Sequence, residues 1–359
     1  MTGRAPLATA LGLACLTGPA FAEEIHVYNW ADYIGPETIK AFEAETGIKV
    51  VYDVYDSNEV LEAKLLAGSA GYDVVVPTST FLRRQIPAEV YQPLDREKLP
   101  HWQNLDPELM QAAEADDPGN AYAAVYLWGT NGIGYNVGKV AERLGADAPV
   151  DSWALVFDPA YAAKLADCGI TMLDTASEMV PLALAYLGLP VDSTKAEDLG
   201  KVADLFAAVR PYVRYFNAVQ YNNDLAAGEV CVSVGFSGDV FMAADAAAEG
   251  VEIAYSVPKE GAMLWFDMLA VPADAPNPSG AHAFIDFLLR PEVIAEVTNA
   301  VFYPNANAGA APFVDPEILA DPSIYPTPEV MARLFPQPVH DPRDDRALTR
   351  LWTKVRTGQ

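Results

Sequence analysis

The sequence predicts an α/β protein of two lobes, each a mainly parallel sheet flanked by helices. Three observations carry that reading. The first segment after the N-terminal leader alternates short apolar strands with helices in the order β-α-β-α-β, which builds a parallel sheet. The same alternation restarts after residue 168, beyond a segment suited to carry the chain across. The chain has 359 residues, enough for two full-sized cores, and no internal repeat or low-complexity tract that would suggest a solenoid.

The leader comes first. Arg4, an apolar stretch from Ala5 to Leu16 and the small-residue ending Ala20-Phe21-Ala22 read as a cleaved secretory signal over residues 1–22. Gly12-Leu13-Ala14-Cys15 matches a lipidation signal poorly, and the Ala-x-Ala site offers a better cut. The apolar stretch is short for a membrane span, and no later segment supplies about 20 uninterrupted apolar residues, so a soluble periplasmic protein is expected.

Glu24 to Asn29 reads as a strand, and Pro36 to Glu45 as a helix with Pro36 in its first turn and Gly47 past its end. Ile48 to Tyr55 is a second strand. Asn58 to Ala67 is a helix capped by Ser57 and stopped by Gly68, and Tyr72 to Val76 is a strand ended by Pro77. Ligands of such sheets sit beyond the carboxyl ends of the strands, where Trp30 to Tyr33 and Thr78 to Thr80 fall. Tyr122 to Trp128 and Gly132 to Tyr135 read as two strands around a Gly129-Thr130-Asn131 turn, leading into the second lobe. There, Gly169 to Leu173 and Val230 to Val234 are strands, Glu178 to Tyr186 is a helix, Ser193 caps a helix from Ala196 to Val209, and Asn223 to Gly228 is a short helix. Met263 to Val271 is strand-like apart from Asp267. Helices follow over Ala281 to Leu289 and Pro291 to Asn299, then a loop-rich stretch from Asn305 to Pro338, then a closing helix from Pro342 to Arg356. Residues 23–128 with 252–303 are assigned to lobe 1, and 129–251 with 304–359 to lobe 2.

A formal charge of −26, one unit more negative once Arg4 is cleaved off, argues against nucleic acid and anionic lipid as partners. It favours cations, although solubility alone accounts for such a surface. No metal is expected, because His26, His101, His282 and His340 lie far apart with no ligand spacing. No cofactor is expected either: Gly132-Ile133-Gly134 lacks the third glycine of a dinucleotide loop, and no phosphate loop or Gly-x-Ser-x-Gly occurs. With 49 acids, carboxylate pairs arise by chance and imply no glycosidase. Cys168 and Cys231 remain as an even pair in an oxidising compartment, which favours a disulfide over two buried thiols.

Four clusters carry the candidate chemistry: Trp30-Ala31-Asp32-Tyr33, Phe236-Ser237-Gly238-Asp239, Trp265-Phe266-Asp267 and Phe302-Tyr303. Carboxylates beside aromatic rings suit an organic cation, the acids neutralising ammonium groups and the rings covering hydrocarbon while attracting charge. Rings in strands serve a core equally well; the functional argument is that these follow strand ends. Asp267, inside a core strand, needs a partner, which a ligand, an internal Arg or Lys, or a backbone donor could supply.

At these residues the chain resembles the periplasmic polyamine-binding proteins of ABC importers, in particular the putrescine-binding branch. The likeness runs through the mature chain and is most specific at Val27-Tyr28-Asn29-Trp30 with Asp32-Tyr33, at Thr46 to Val54, and at Asp56 to Glu62. It continues at Gly132 to Val137, Arg214-Tyr215-Phe216, Pro258 to Met263 and Val301-Phe302-Tyr303 with Asn305-Ala306-Asn307. The resemblance implies the two-lobed periplasmic binding protein fold with the ligand cleft between lobes. It also implies an aromatic box of Trp30, Tyr33, Phe236, Trp265 and Tyr303 around the methylene chain, with Asp32, Glu178, Asp239 and Asp267 receiving the ammonium groups and Thr78 adding a hydrogen bond. Pairing of Cys168 with Cys231 and delivery to a membrane permease are implied as well, and a monomer is expected.

This chain departs from that branch at Ala31, where serine is usual, at Phe236 in place of tryptophan, at Ala218 in place of a small hydroxyl residue, and at Trp265 in place of phenylalanine. Lost hydroxyls and a larger indole lead to the expectation that spermidine is accepted at least as well as putrescine. The rival reading from another class is a secreted, thiaminase-like enzyme on the same fold with Cys168 or Cys231 as nucleophile. A receptor-coupled sensor of the same ligand is a third.

Overall fold

The computed structural model describes residues 23–358; the leader, with its alternative at Cys15, lies outside the described residues. The described residues hold ten strands: β1 (Glu24–Trp30), β2 (Lys49–Tyr55), β3 (Val74–Val75), β4 (Ala123–Asn136), β5 (Ile170–Met172), β6 (Val213–Phe216), β7 (Val232–Phe236), β8 (Ile253–Ser256), β9 (Ala262–Ala270) and β10 (Leu334–Pro336). They run in the order β2-β1-β3-β9-β4-β7-β5-β6, with β10 on β9 and β8 on β4. β1 is parallel to β2 and β3, and β5 is parallel to β6 and β7, which are the two expected parallel sheets. Antiparallel pairing of β4 with β9 and β7 joins them.

Local chemistry accounts for the elements. The helix Asn58–Ala67 starts at Ser57, whose hydroxyl accepts from the Val60 amide at 3.4 Å, and stops at Gly68 with a positive φ of 72°. The helix Thr38–Thr46 ends at Gly47 in the left-handed region, where a side chain would be strained. The helix Ala196–Val209 forms as expected, but its N-cap position is Lys195; the Ser193 hydroxyl instead donates to Asp198 at 2.5 Å. Strand β7 begins two residues later than expected, at the point where its ladder with β4 begins, so Phe236 is its last residue.

The crossing segment differs most from expectation. β4 is one strand of 14 residues with no turn at Gly129-Thr130-Asn131. Gly129 pairs with Trp265, Thr130 with Leu264, Asn131 with Phe236 and Gly132 with Gly235, an unbroken register that passes from one sheet to the other. These glycines answer close approach rather than turning: a Cβ on Gly129 would lie 2.7 Å from the Trp265 ring, and one on Gly132 would lie 2.5 Å from Tyr255.

Two apolar clusters form the core. The first gathers Ile25, Val27, Phe42, Leu61, Val74 and Leu269 under the helices Pro278–Leu288 and Pro291–Val301. The second gathers Ile170, Met172, Leu182, Phe206 and Val232. The C-terminal stretch is shared: Leu348, Trp352 and Val355 bury in the second cluster, but Ala306, Ala310, Val314, Ile318 and Ile324 bury in the first, whereas the sequence reading placed all of 304–359 in lobe 2.

Cys168 and Cys231 form a disulfide spanning 63 residues within the second cluster. In the chain-entropy relation such a loop stabilises the fold by about 4 kcal/mol. Replacing both cysteines with serine is therefore expected to lower the urea-unfolding free energy by about that amount while the cleft keeps its ligand affinity.

Candidate functional site

All ten residues singled out from the sequence line one cleft of about 690 Å³. Tyr33, Trp265 and Tyr303 belong to the first core cluster and Trp30 packs against it, Met263 belongs to the second and Ala218 packs against it, and Phe236 packs against both, so the cleft lies between the two bodies.

The segment after β1 is braced by Asn29. Its side chain accepts from the Trp30 amide at 2.8 Å and donates to the Tyr33 carbonyl at 3.2 Å. Asp32 sits between them with φ 51°, a left-handed conformation that aspartate tolerates, and its side chain is exposed. The Trp30 indole N–H donates to the Val76 carbonyl at 2.9 Å, which fixes the ring. Phe302 is also left-handed, with φ 56°, where it ends the helix Pro291–Val301 and turns the chain so that Tyr303 enters the cleft. A bulky residue there costs on the order of 1 kcal/mol, a cost that persists where surrounding structure imposes it.

Three carboxylates, the buried Asp267 and the half-buried Asp239 and Glu178, are held by hydroxyl groups. Asp239 lies in the first turn of the helix Ser237–Asp245, directly after β7. It accepts from the Tyr221 hydroxyl at 2.8 Å and the Tyr303 hydroxyl at 2.7 Å. Burial and the neighbouring Asp239 hold both phenols well above their ordinary range, so they stay protonated and keep donating. Asp267 accepts from Thr78 Oγ1 at 2.8 Å, and Thr78 is clamped by Asn58, which donates to that hydroxyl at 2.9 Å and accepts from the Thr78 amide at 3.0 Å. Glu178, in the first turn of the helix Ala176–Tyr186, accepts from the Thr175 hydroxyl at 2.5 Å.

Burial raises all three acids: Glu178 to about 8, Asp267 to about 7 and Asp239 to about 6, against hydroxyl bonds that pull the other way. The partner left open for Asp267 is thus a hydroxyl, with no Arg or Lys beside it. Five carboxylates line the cleft, counting Asp32 and Asp56; no Lys, Arg or His lines it, and none of the five is ion-paired among the described residues. An ionised acid taken out of water needs a compensating charge. A ligand carrying two or more ammonium groups separated by hydrocarbon supplies it, and the rings cover the hydrocarbon: Trp265 stands 5.4 Å from Tyr303 and 6.0 Å, edge-on, from Phe236.

Sequence reasoning missed Tyr55, Asp56, Asn58, Val219, Asn222, Met263 and Gln337, which also line the cleft. Tyr55 is the last residue of β2 and Asp56 and Asn58 follow it, so the strand-end argument applied to Trp30 reaches them too. Gln337, bonded to Thr80 at 2.9 Å, lies in the loop-rich stretch and carried no periodic or motif signal.

Two α/β bodies enclosing a cleft of unpaired acids and rings define a binding protein for a cationic solute. Residues 37–327 match the family described as bacterial extracellular solute-binding protein, and the chain belongs to that family. It is 52% identical over 353 residues to the putrescine-binding periplasmic protein PotF of Escherichia coli (strain K12), covering 97% of this chain and 95% of that one. It is 51% identical over 356 residues to the putrescine-binding periplasmic protein SpuD of Pseudomonas aeruginosa (strain UCBPP-PA14), covering 98% and 97%. Among solved structures, a putative spermidine/putrescine ABC transporter from Listeria monocytogenes superposes with a TM-score of 0.84 at 33% identity, covering 94% of this chain and all of that one.

Proposed function

We propose that this chain is a periplasmic binding protein that captures a linear polyamine in its cleft and delivers it to the membrane permease of an ABC importer. The observation that carries the reading is the cleft lining: five carboxylates and the rings of Trp30, Phe236, Trp265 and Tyr303, with no basic side chain. The names of its relatives, putrescine-binding in two cases, point the same way. Among the described residues no helix is long and apolar enough to cross a membrane.

In this reading Asp239 anchors one ammonium group, Asp32 or Glu178 meets the other end, and Asp267 closes the cage. Thr78 orients Asp267. The rings of Trp30, Tyr33, Phe236, Trp265 and Tyr303 line the path of the methylene chain. Two lobes, centred on residues 23–128 with 252–303 and on 129–251, close over the ligand by bending where β4 passes between the sheets. The protein works as a monomer without nucleic acid, and it performs no covalent chemistry: the cysteine-enzyme alternative needs a thiolate, and Cys168 and Cys231 are bonded to each other.

Calorimetric titration of refolded, ligand-stripped protein with putrescine, cadaverine, spermidine and spermine at one pH and salt tests the reading. Tight one-to-one binding is expected, with spermidine at least equal to putrescine because Trp265 adds stacking surface and Ala31 and Ala218 lack hydroxyls. Putrescine binding far more tightly than spermidine would defeat that preference, and no heat with any of the four would defeat the polyamine assignment.

A further inference from the structure

Two tryptophans face the cleft, and they are held differently. Trp30 is fixed by its indole N–H bond to the Val76 carbonyl. Trp265 is 8% exposed, and its indole nitrogen has no hydrogen-bond partner among the described residues. Packing alone therefore sets its orientation. Its neighbours are Phe236, Tyr303 and, on the crossing strand, Gly129, whose backbone is paired directly with Trp265. A Cβ at Gly129 would lie 2.7 Å from Cζ2 and 2.8 Å from Cη2 of the indole, and 3.0 Å from Ser237 Oγ. Real contacts of that kind are not tolerated, so the ring would have to move. The strand backbone at Gly129 lies outside the left-handed region, so alanine suits its conformation and the conflict is with the ring alone.

We propose that Gly129 is a positioning residue for ligand selection: its missing side chain is the seat of the Trp265 indole, which sets the width of the cleft where the hydrocarbon of the ligand passes. The inference rests on the polyamine reading above and adds a determinant that does not touch the ligand. Pushed off β4, the indole moves toward the free volume it lines, which is the cleft. A longer ligand lays more of its chain along the narrowed cleft and so loses more from that intrusion than a shorter one.

The test compares wild type, Gly129→Ala, Trp265→Phe and the double variant by calorimetry with putrescine and spermidine, alongside thermal unfolding. Gly129→Ala is expected to weaken spermidine binding by roughly ten-fold, the scale of one overpacked methyl group, and putrescine binding by less. In the double variant the shorter phenyl ring removes the conflict, so both affinities return to those of Trp265→Phe alone. Wild-type affinities in Gly129→Ala would overturn the proposal. So would an equal loss for both amines that Trp265→Phe does not rescue, which marks a merely structural glycine. If Gly129→Ala fails to fold, the double variant decides: affinities equal to Trp265→Phe support the seat, and weaker ones overturn it. Wild type binding neither amine would instead defeat the polyamine reading, and the seat for a polyamine with it.

Discussion

Asp239→Ala weakens polyamine binding by at least about 30-fold, to the point of abolishing it at working ligand concentrations, and leaves the protein folded: that is the expected result of the most direct test of the cleft. Asp239 is the acid with the best-defined surroundings, its two oxygens held by Tyr221 and Tyr303 at 2.8 and 2.7 Å. Tyr303 packs in the first core cluster, while Asp239 follows β7, a strand of the second, so this carboxylate sits where the two bodies meet. Removing one partner of a desolvated charge pair costs about 2–5 kcal/mol, roughly 30-fold to a few thousand-fold in affinity. The fold should survive, because burial already raises this carboxyl to about 6, which means the ionised group is a burden on the ligand-free folded state rather than a support. Circular dichroism and thermal unfolding check the fold, and calorimetry checks the affinity. Asp239→Asn serves as a shape control that keeps an acceptor for one tyrosine while removing the charge. Near-native affinity in Asp239→Ala would remove Asp239 from the site.

Much of this cleft is legible in the sequence for a physical reason. Trp30, Asp32 and Tyr33 follow a strand whose end is announced by alternating apolar residues, and the rule that ligands gather at such ends is a property of parallel sheets. Asp239 benefited from the same rule through β7, despite a two-residue error in the strand start. Glu178, Trp265 and Tyr303 are placed in the site by family likeness, since their convergence depends on contacts between segments that lie far apart in the chain, which periodicity does not encode. Gln337 is the clearest omission: nothing local marks a residue that reaches the cleft from a loop-rich tail.

The crossing strand was misread for a related reason. Gly129-Thr130-Asn131 looks like a turn because glycine beside a polar pair is how turns are usually spelled. Here the glycine is required by an indole that lies 136 positions later in the chain. A glycine that makes room and a glycine that turns are the same letter, and only the distant partner distinguishes them. The same consideration applies to Asp267, which looked anomalous in an apolar strand until Thr78 and Asn58 supplied its hydrogen-bonded surroundings.

Affinity for putrescine is expected to fall steeply as the pH is lowered from about 8.5 to about 5.5, a range that brackets the folded values of the three inner acids. Glu178 stands at about 8, Asp267 at about 7 and Asp239 at about 6. The ligand's ammonium groups, like that of lysine, stay charged throughout, and they favour ionised carboxylates. Binding below these values must therefore expel protons, and each group still protonated can weaken affinity by up to about ten-fold per pH unit. Stability of the ligand-free protein runs in the opposite direction. Unfolded carboxyls titrate near 4, so between pH 4 and the folded values the native state holds more protons than the unfolded one. The contribution of these acids is fully present below about pH 4 and is lost as the pH rises through about 6, 7 and 8. The thermal shift produced by putrescine should accordingly be largest at the alkaline end. Glu178→Gln isolates one share: it should flatten the upper part of the affinity profile and slow the alkaline loss of stability. Calorimetry in two buffers of different ionisation enthalpy measures the proton release directly. An affinity that stays constant over the range, with heats that do not depend on the buffer, would mean that these carboxylates are ionised before the ligand arrives.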